Sequence, residues 1–320
     1  TKMTDLKNKV KKLNKILNNC SLCPHKCGIN RYSGTDGFCN SGAKPVVSTS
    51  MVHHGEEPPI SGSTGSGTIF FSNCNMRCVY CQNYQISQES EGEEISVEML
   101  ADNMIELQEK GVHNINLVSP TIWVPQIVEA FLIAKKSGLD LPFVYNTGGY
   151  DNPGIIKMLD GIIDVYMPDI RYSNSFLAKK YSGIEDYVKF NRDSILEMFH
   201  QVGDLELDKN GIVKKGLLVR LLVLPENIGG IKDTLDFIKN RLSSNIYLSI
   251  MAQYHPVYMA NGYPELSRRA NTGEYLEIVE YARKLGLDCG WTQDHSGLEP
   301  GKDEFIPDFN KENVFKYYKD

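Results

Sequence analysis

The sequence predicts an α/β protein built on a parallel sheet with helices packed outside it. Short apolar runs recur between residues 68 and 291, and segments of helical period lie between most of them. At 320 residues the chain can bury one large core and carry a small appendage. Six or seven such strand–helix units are too few to close an eightfold barrel.

The chain opens on an amphipathic helix with Leu6, Val10, Leu13 and Leu17 on one face and solvated lysines on the other. Residues 1–60 otherwise show no βα rhythm and read as a separate cysteine-bearing appendage, ahead of a barrel over 61–295 and a tail over 296–320. Ser61–Gly67 lacks the Lys-Ser/Thr of a phosphate-binding loop and reads as a linker. Strands are expected at 68–72, 114–118, 142–146, 162–168, 217–224, 246–250 and 287–291. Helices are expected around Val97–Ile105, over 124–136 where Gly138 stops the run, and from 153, with Asn152 as N-cap and Pro153 in the first position. Asn271 and Glu274 mark another start near 272. Asn210-Gly211 centres an expected hairpin over 205–216, inserted before the fifth strand.

A net charge of −6 argues against a nucleic-acid partner held by electrostatics. No apolar run approaches the roughly 20 residues that span a bilayer, and the N-terminal segment lacks the apolar core of a secretory signal. A cytoplasmic location without membrane attachment is therefore expected. Seven of the eight cysteines fall in two tight groups, a pattern of metal binding in a reducing compartment rather than of disulfides. The eighth, Cys289, reads as a buried, inert thiol.

The more telling group is Cys74, Cys78 and Cys81, spaced C-x3-C-x2-C just after the apolar run Thr68–Ser72. Three thiolates can hold three irons of a [4Fe–4S] cube and leave the fourth open for chemistry. A zinc site would want a fourth ligand, and no His follows within about twenty residues. The segment Gly67-Thr-Ile-Phe-Phe-Ser-Asn-Cys74-Asn-Met-Arg-Cys78-Val-Tyr-Cys81-Gln-Asn83 resembles the signature of the radical S-adenosylmethionine (SAM) superfamily. Together with Leu22–Arg31, Gly55-Glu-Glu-Pro-Pro59 and Gln82–Gln88, it is similar to the branch related to pyruvate formate-lyase activating enzyme. The resemblance implies an open, partial (βα)6 TIM-like barrel, a [4Fe–4S] cluster and SAM as cosubstrate. It also implies reductive cleavage of SAM to a 5′-deoxyadenosyl radical that abstracts hydrogen from a substrate.

By the same resemblance Tyr80 lies beside the adenine. Asp169 and Arg171, in Met167-Pro-Asp-Ile-Arg171, stand where the activating enzymes carry Asp-Leu-Lys, and Gln253-Tyr-His255 matches their Tyr-His stretch. Their Gly-Gly-Glu, which receives the methionine amino group, is replaced by Val118-Ser-Pro-Thr-Ile-Trp123, so the Thr121 hydroxyl or backbone carbonyls are left to serve. Asn146-Thr-Gly-Gly149 would let the cosubstrate approach the backbone closely. Arg220, inside the apolar run Leu217–Leu224, must find an acceptor, either a ligand carboxylate or a partner such as Asp169.

Cys20, Cys23, Cys27 and Cys39 could hold zinc or a second iron–sulfur cluster, with His25 as a substitute ligand; the need of a short, loop-rich module for a structural metal leans toward zinc. His53-His54 is either a cap at the site's mouth or a surface turn. The resemblance favours hydrogen abstraction from a glycine Cα of a glycyl-radical protein, with flavodoxin or ferredoxin as low-potential electron donor. Modification of another peptide or a small metabolite is the enzymatic alternative, and a non-catalytic iron–sulfur electron carrier the other class.

Overall fold

The computed structural model describes residues 3–34, 37–293, 306–311 and 314–315. Of the expected tail over 296–320, all but residues 306–311 and 314–315 lies outside the described residues. Ten strands join one sheet system: β1 (Val46–His53), β2 (Ser66–Phe71), β3 (Glu93–Glu94), β4 (Ile115–Val118), β5 (Phe143–Thr147), β6 (Val165–Pro168), β7 (Glu206–Leu207), β8 (Val213–Leu222), β9 (Tyr247–Met251) and β10 (Gly290–Thr292). The spatial order is β10-β9-β8-β6-β5-β4-β2-β1-β3, with β7 on β8. From β2 to β10 every neighbour is parallel and follows chain order. This is an unclosed barrel of six strand–helix units with a short seventh strand, the partial barrel expected.

Among the described residues ten α-helices accompany the strands: α1 (Met3–Ile16), α2 (Pro58–Ser61), α3 (Tyr84–Ser87), α4 (Val97–Glu109), α5 (Val124–Lys136), α6 (Pro153–Met158), α7 (Ser175–Ser182), α8 (Tyr187–Val202), α9 (Ile231–Arg241) and α10 (Thr272–Lys284). Their starts have local causes. Ser96 caps α4 by accepting from the Met99 amide, Asn152 caps α6, and Asn271 with Glu274 closes a reciprocal capping box on α10. Strands β2, β4, β5 and β6 are buried at every position, as expected of parallel strands covered on both faces.

Three expectations change. The hairpin over 205–216 is not a separate insert, because its second arm is the start of β8 itself, paired with β7 around Asp208–Gly211. Cys289 is half-buried rather than buried. Residues 1–60, expected as an appendage, share the barrel's core. Leu6, Leu13, Leu17 and Leu22 belong to the same buried cluster as Leu117 and Trp123, and each contributes about 2 kcal/mol by leaving water. Strand β1 pairs antiparallel with β2 and β3, its mostly half-buried residues giving only a weak alternation in the sequence.

Arg31 fastens this N-terminal stretch. Its guanidinium is buried, donates to the carbonyls of Ser41, Gly42 and Ile122, and lies 4.9 Å from the Trp123 ring centroid. Arg31→Ala is expected to lower unfolding free energy by about 3 kcal/mol, because the carbonyls lose charge-assisted donors inside the core. Arg31→Lys should recover only a minor part, an ammonium being unable to fork. Urea melts of the three proteins check this; equal stabilities for wild type and Arg31→Lys would refute the fork.

Candidate metal and cosubstrate site

The Cys74–Cys81 loop begins at the end of β2, where Asn73 takes a left-handed conformation (φ 67°) and its amide bonds Ile86 O. Amides of Arg77 and Val79 then donate to Ser182 O and Tyr181 O at the end of α7, and Val79 O accepts from Met259. Gln88 Nε2 donates to Met76 O. The loop is thus pinned from three sides before any ligand binds.

Its sulfurs sit in graded surroundings. Cys78 is buried and accepts from Ser182 Oγ at 3.0 Å, while Cys81 lies 3.1 Å from Ser87 Oγ. Burial pushes the Cys74 thiol up to about 12, with Cys78 and Cys81 adding to the rise and Arg171 opposing it. Burial and Cys78 raise Cys81 to about 11, against Ser87 and Arg171. Three thiols that feel one another and a shared cation fit a metal group that takes them as thiolates. Among the described residues no three Cys, His, Asp or Glu side chains close on one point as ligands of a single ion do. A cubane offers its irons at separate corners, so thiols spread around a common space suit it.

Cys81 opens onto a cavity that runs through the barrel interior and is also lined by Tyr80, Asn146, Asp169, Arg171, Arg220 and Gln253. These six of the expected site residues therefore come together. Tyr80 donates to the Tyr172 hydroxyl at 2.7 Å, and Tyr172 reaches Ser182, the partner of Cys78. Asp169 accepts from Arg171 at 2.5 Å and from Arg220 Nε at 2.9 Å. Arg220 donates also to Asn146 Oδ1 at 2.7 Å and pairs with Glu56 at 3.5 Å, so its acceptors are found within the chain. Burial works against both guanidinium charges, yet the surrounding acidic groups, Asp169 foremost, together outweigh it and their pKa values rise. Arg171 Nε has no acceptor among the described residues. Gln253 accepts from Gln293 and, through its carbonyl, from Gln82.

Two expected residues are placed elsewhere. Thr121 does not line the cavity; its hydroxyl donates to Asp151 at 2.7 Å, and Asp151 also accepts from Tyr145 and Thr147. A buried carboxylate with three hydroxyl donors is a stronger claim on Thr121 than a passing ligand. His255 is half-buried beyond β9 and is not among the lining residues. Gly148 and Gly149 serve packing: a Cβ on Gly149 (φ 79°) would meet Asn191 Nδ2 and Asp169 O at 2.3 Å, and one on Gly148 would meet Met76 Sδ at 3.0 Å.

Glu56 is a charged lining residue that was not expected. Because β1 runs antiparallel, its end at His53 lies beside Ser66, the start of β2, so Gly55–Glu57 enters from the side opposite the cysteine loop. Glu56 accepts from Asn116 at 2.9 Å and from Asn146 at 3.4 Å, forming a charged floor. His53 is buried against Phe70 and Phe315, all three lining the same cavity, so it is not a surface turn, and burial with His54 nearby lowers its pKa to about 4. The sequence signal was two carboxylates between Gly55 and Pro58-Pro59, with nothing to give them a depth.

Burial raises the pKa of Glu57 above 4.5, against the pull of Arg220. A raised folded value means that its contribution to stability is present below the unfolded pKa near 4.5 and is lost as pH rises through the folded value. Glu57→Gln is therefore expected to gain stability relative to wild type as pH climbs from 4.5 to 8, by about 1 kcal/mol or more. Thermal melts across that range test it, and a pH-independent difference would refute the assignment.

The Radical SAM superfamily model matches residues 68–238, more than half of the chain. Two uncharacterized proteins of Methanocaldococcus jannaschii are similar: MJ0674, 30% identical over 89% of this chain and 80% of its own length, and MJ0808, 24% identical over 88% and 81%. Among solved structures, HydG, a maturase of the [FeFe]-hydrogenase, aligns at 11% identity with a TM-score of 0.49, over 91% of this chain and 63% of its own. A radical SAM methyltransferase from Sphaerobacter thermophilus aligns at 12% identity and a TM-score of 0.46, over 71% and 65%. The chain thus spans less than two thirds of the length of either structure. Among the described residues no helix is long and apolar enough to cross a membrane. This chain belongs to the radical SAM superfamily, a family whose cofactors are a [4Fe–4S] cluster and SAM.

Proposed function

We propose that the chain abstracts hydrogen from a peptide or protein segment, with a glycine Cα of a glycyl-radical protein as the favoured position. When bound, the cluster and SAM supply a 5′-deoxyadenosyl radical. Cys74, Cys78 and Cys81 hold the cluster, and Arg171, one nitrogen on Asp169 and Nε unfilled, offers donors to the cosubstrate's carboxylate or ribose. Tyr80 and Gln253 line the same cavity beside it. Asp169 and Arg220 act behind them, fixing Arg171.

The observation that carries the peptide reading is an exposed patch beside the cysteine loop. Tyr258 and Met259 are 39% and 53% exposed, Tyr258 stacks on Tyr84 at 5.2 Å, and Met259 is bonded to the cysteine loop through Val79. An exposed aromatic and methionine patch there suits contact with a peptide segment. The electron would come from a flavodoxin or ferredoxin. A second reading, a small polar metabolite, is favoured by the Glu56–Arg220 floor, which would recognise charge deep in the cavity.

Anaerobically reconstituted protein with dithionite and SAM is expected to form 5′-deoxyadenosine, and Cys78→Ala to fall to background. Arg171→Ala should weaken SAM binding about tenfold, the worth of one charge-assisted hydrogen bond; calorimetric titration measures it, and unchanged affinity would remove Arg171 from the site. Deuterium transfer into 5′-deoxyadenosine from labelled glycyl-radical peptides separates the substrate readings. No transfer from any peptide, with transfer from a deuterated metabolite pool, would reject the first.

A further inference from the structure

Cys20, Cys23, Cys27 and Cys39 take no part in the site just described. All four line one small cavity sealed by Leu22, Ile29 and Ile122. Cys20, Cys23 and Cys39 are buried, and Cys27 is exposed at one edge. Lys26 and Arg31 line the same cavity, setting two cations beside four sulfurs. His25 is not a substitute ligand, because a ring nitrogen lies 2.9 Å from Asn75 O and the ring stacks on Phe38 at 3.8 Å.

The structure removes the reason to favour zinc. A structural ion would be needed if this stretch lacked a core, but α1 and Leu22 are buried in the barrel's own core and Arg31 fastens the stretch to Ile122. The four thiols share one cavity. Two bridges bind the rings together: His25 meets Asn75 O, next to Cys74, while Arg77 donates to Phe38 O, next to Cys39, with its guanidinium 4.9 Å from the Phe38 ring centroid.

We propose that Cys20, Cys23, Cys27 and Cys39 ligate a second [4Fe–4S] cluster, protein-ligated on all four irons and fixed beside the first cysteine loop. The site is independent of the substrate reading above. Reconstitution with iron, sulfide and zinc in competition is expected to give about eight irons per chain and no zinc. The triple variant Cys74→Ala/Cys78→Ala/Cys81→Ala should keep about four, with a cubane Mössbauer spectrum that SAM leaves unchanged. In parallel, thiol alkylation of reconstituted wild type should spare all four N-terminal cysteines, a measurement that stands even where the variant fails to fold. Zinc at these thiols, about four irons in wild type, or ready alkylation of Cys20, Cys23 and Cys39 would each overturn the proposal.

Discussion

A ladder of alternating charge holds the interior together: Arg171 on Asp169, Asp169 on Arg220, Arg220 on Glu56. Each charge is out of bulk water and is tolerable only beside its neighbours, since a lone buried charge costs several kcal/mol. The rungs come from the end of β6, the middle of β8 and the turn after β1, so these distant stretches must assemble together. The top rung lies within reach of the cysteine loop, where Arg171 favours the ionised form of Cys74 and Cys81. Charge at the metal and charge at the floor are therefore coupled through one row of side chains.

Much of the barrel was legible because buried parallel strands leave continuous apolar runs, and helices announce their ends through Asn152, Gly138 and Asn271. The cysteine triplet was legible because its spacing is local. What escaped depends on distant contacts. Arg220 declared that it needed acceptors but could not name Glu56 or Asn146 among them. Thr121 sits at the right strand end, yet Asp151, thirty positions later, captures its hydroxyl. Strand β1 was missed because a strand of mostly half-buried residues carries little apolar contrast, and with it went the depth of Glu56.

The N-terminal stretch illustrates the same point at larger scale. Its cysteines suggested a module needing a staple, while its leucines, read as one helical face, gave no hint that the partner surface was α5 and the barrel wall. Packing converts a candidate appendage into a rigid mount. Once Arg31, Arg77 and His25 are in place, the two cysteine-bearing loops are held as one piece.

Strand β1 has a consequence for how such a cavity can diversify. Roof and floor are supplied by separate stretches, the metal loop following β2 and the acidic turn preceding it, set on opposite sides by the antiparallel pairing of β1 with β2. A lineage could exchange Gly55–Glu57 for other residues and re-cut what the chamber accepts, while the radical-generating machinery above stays untouched.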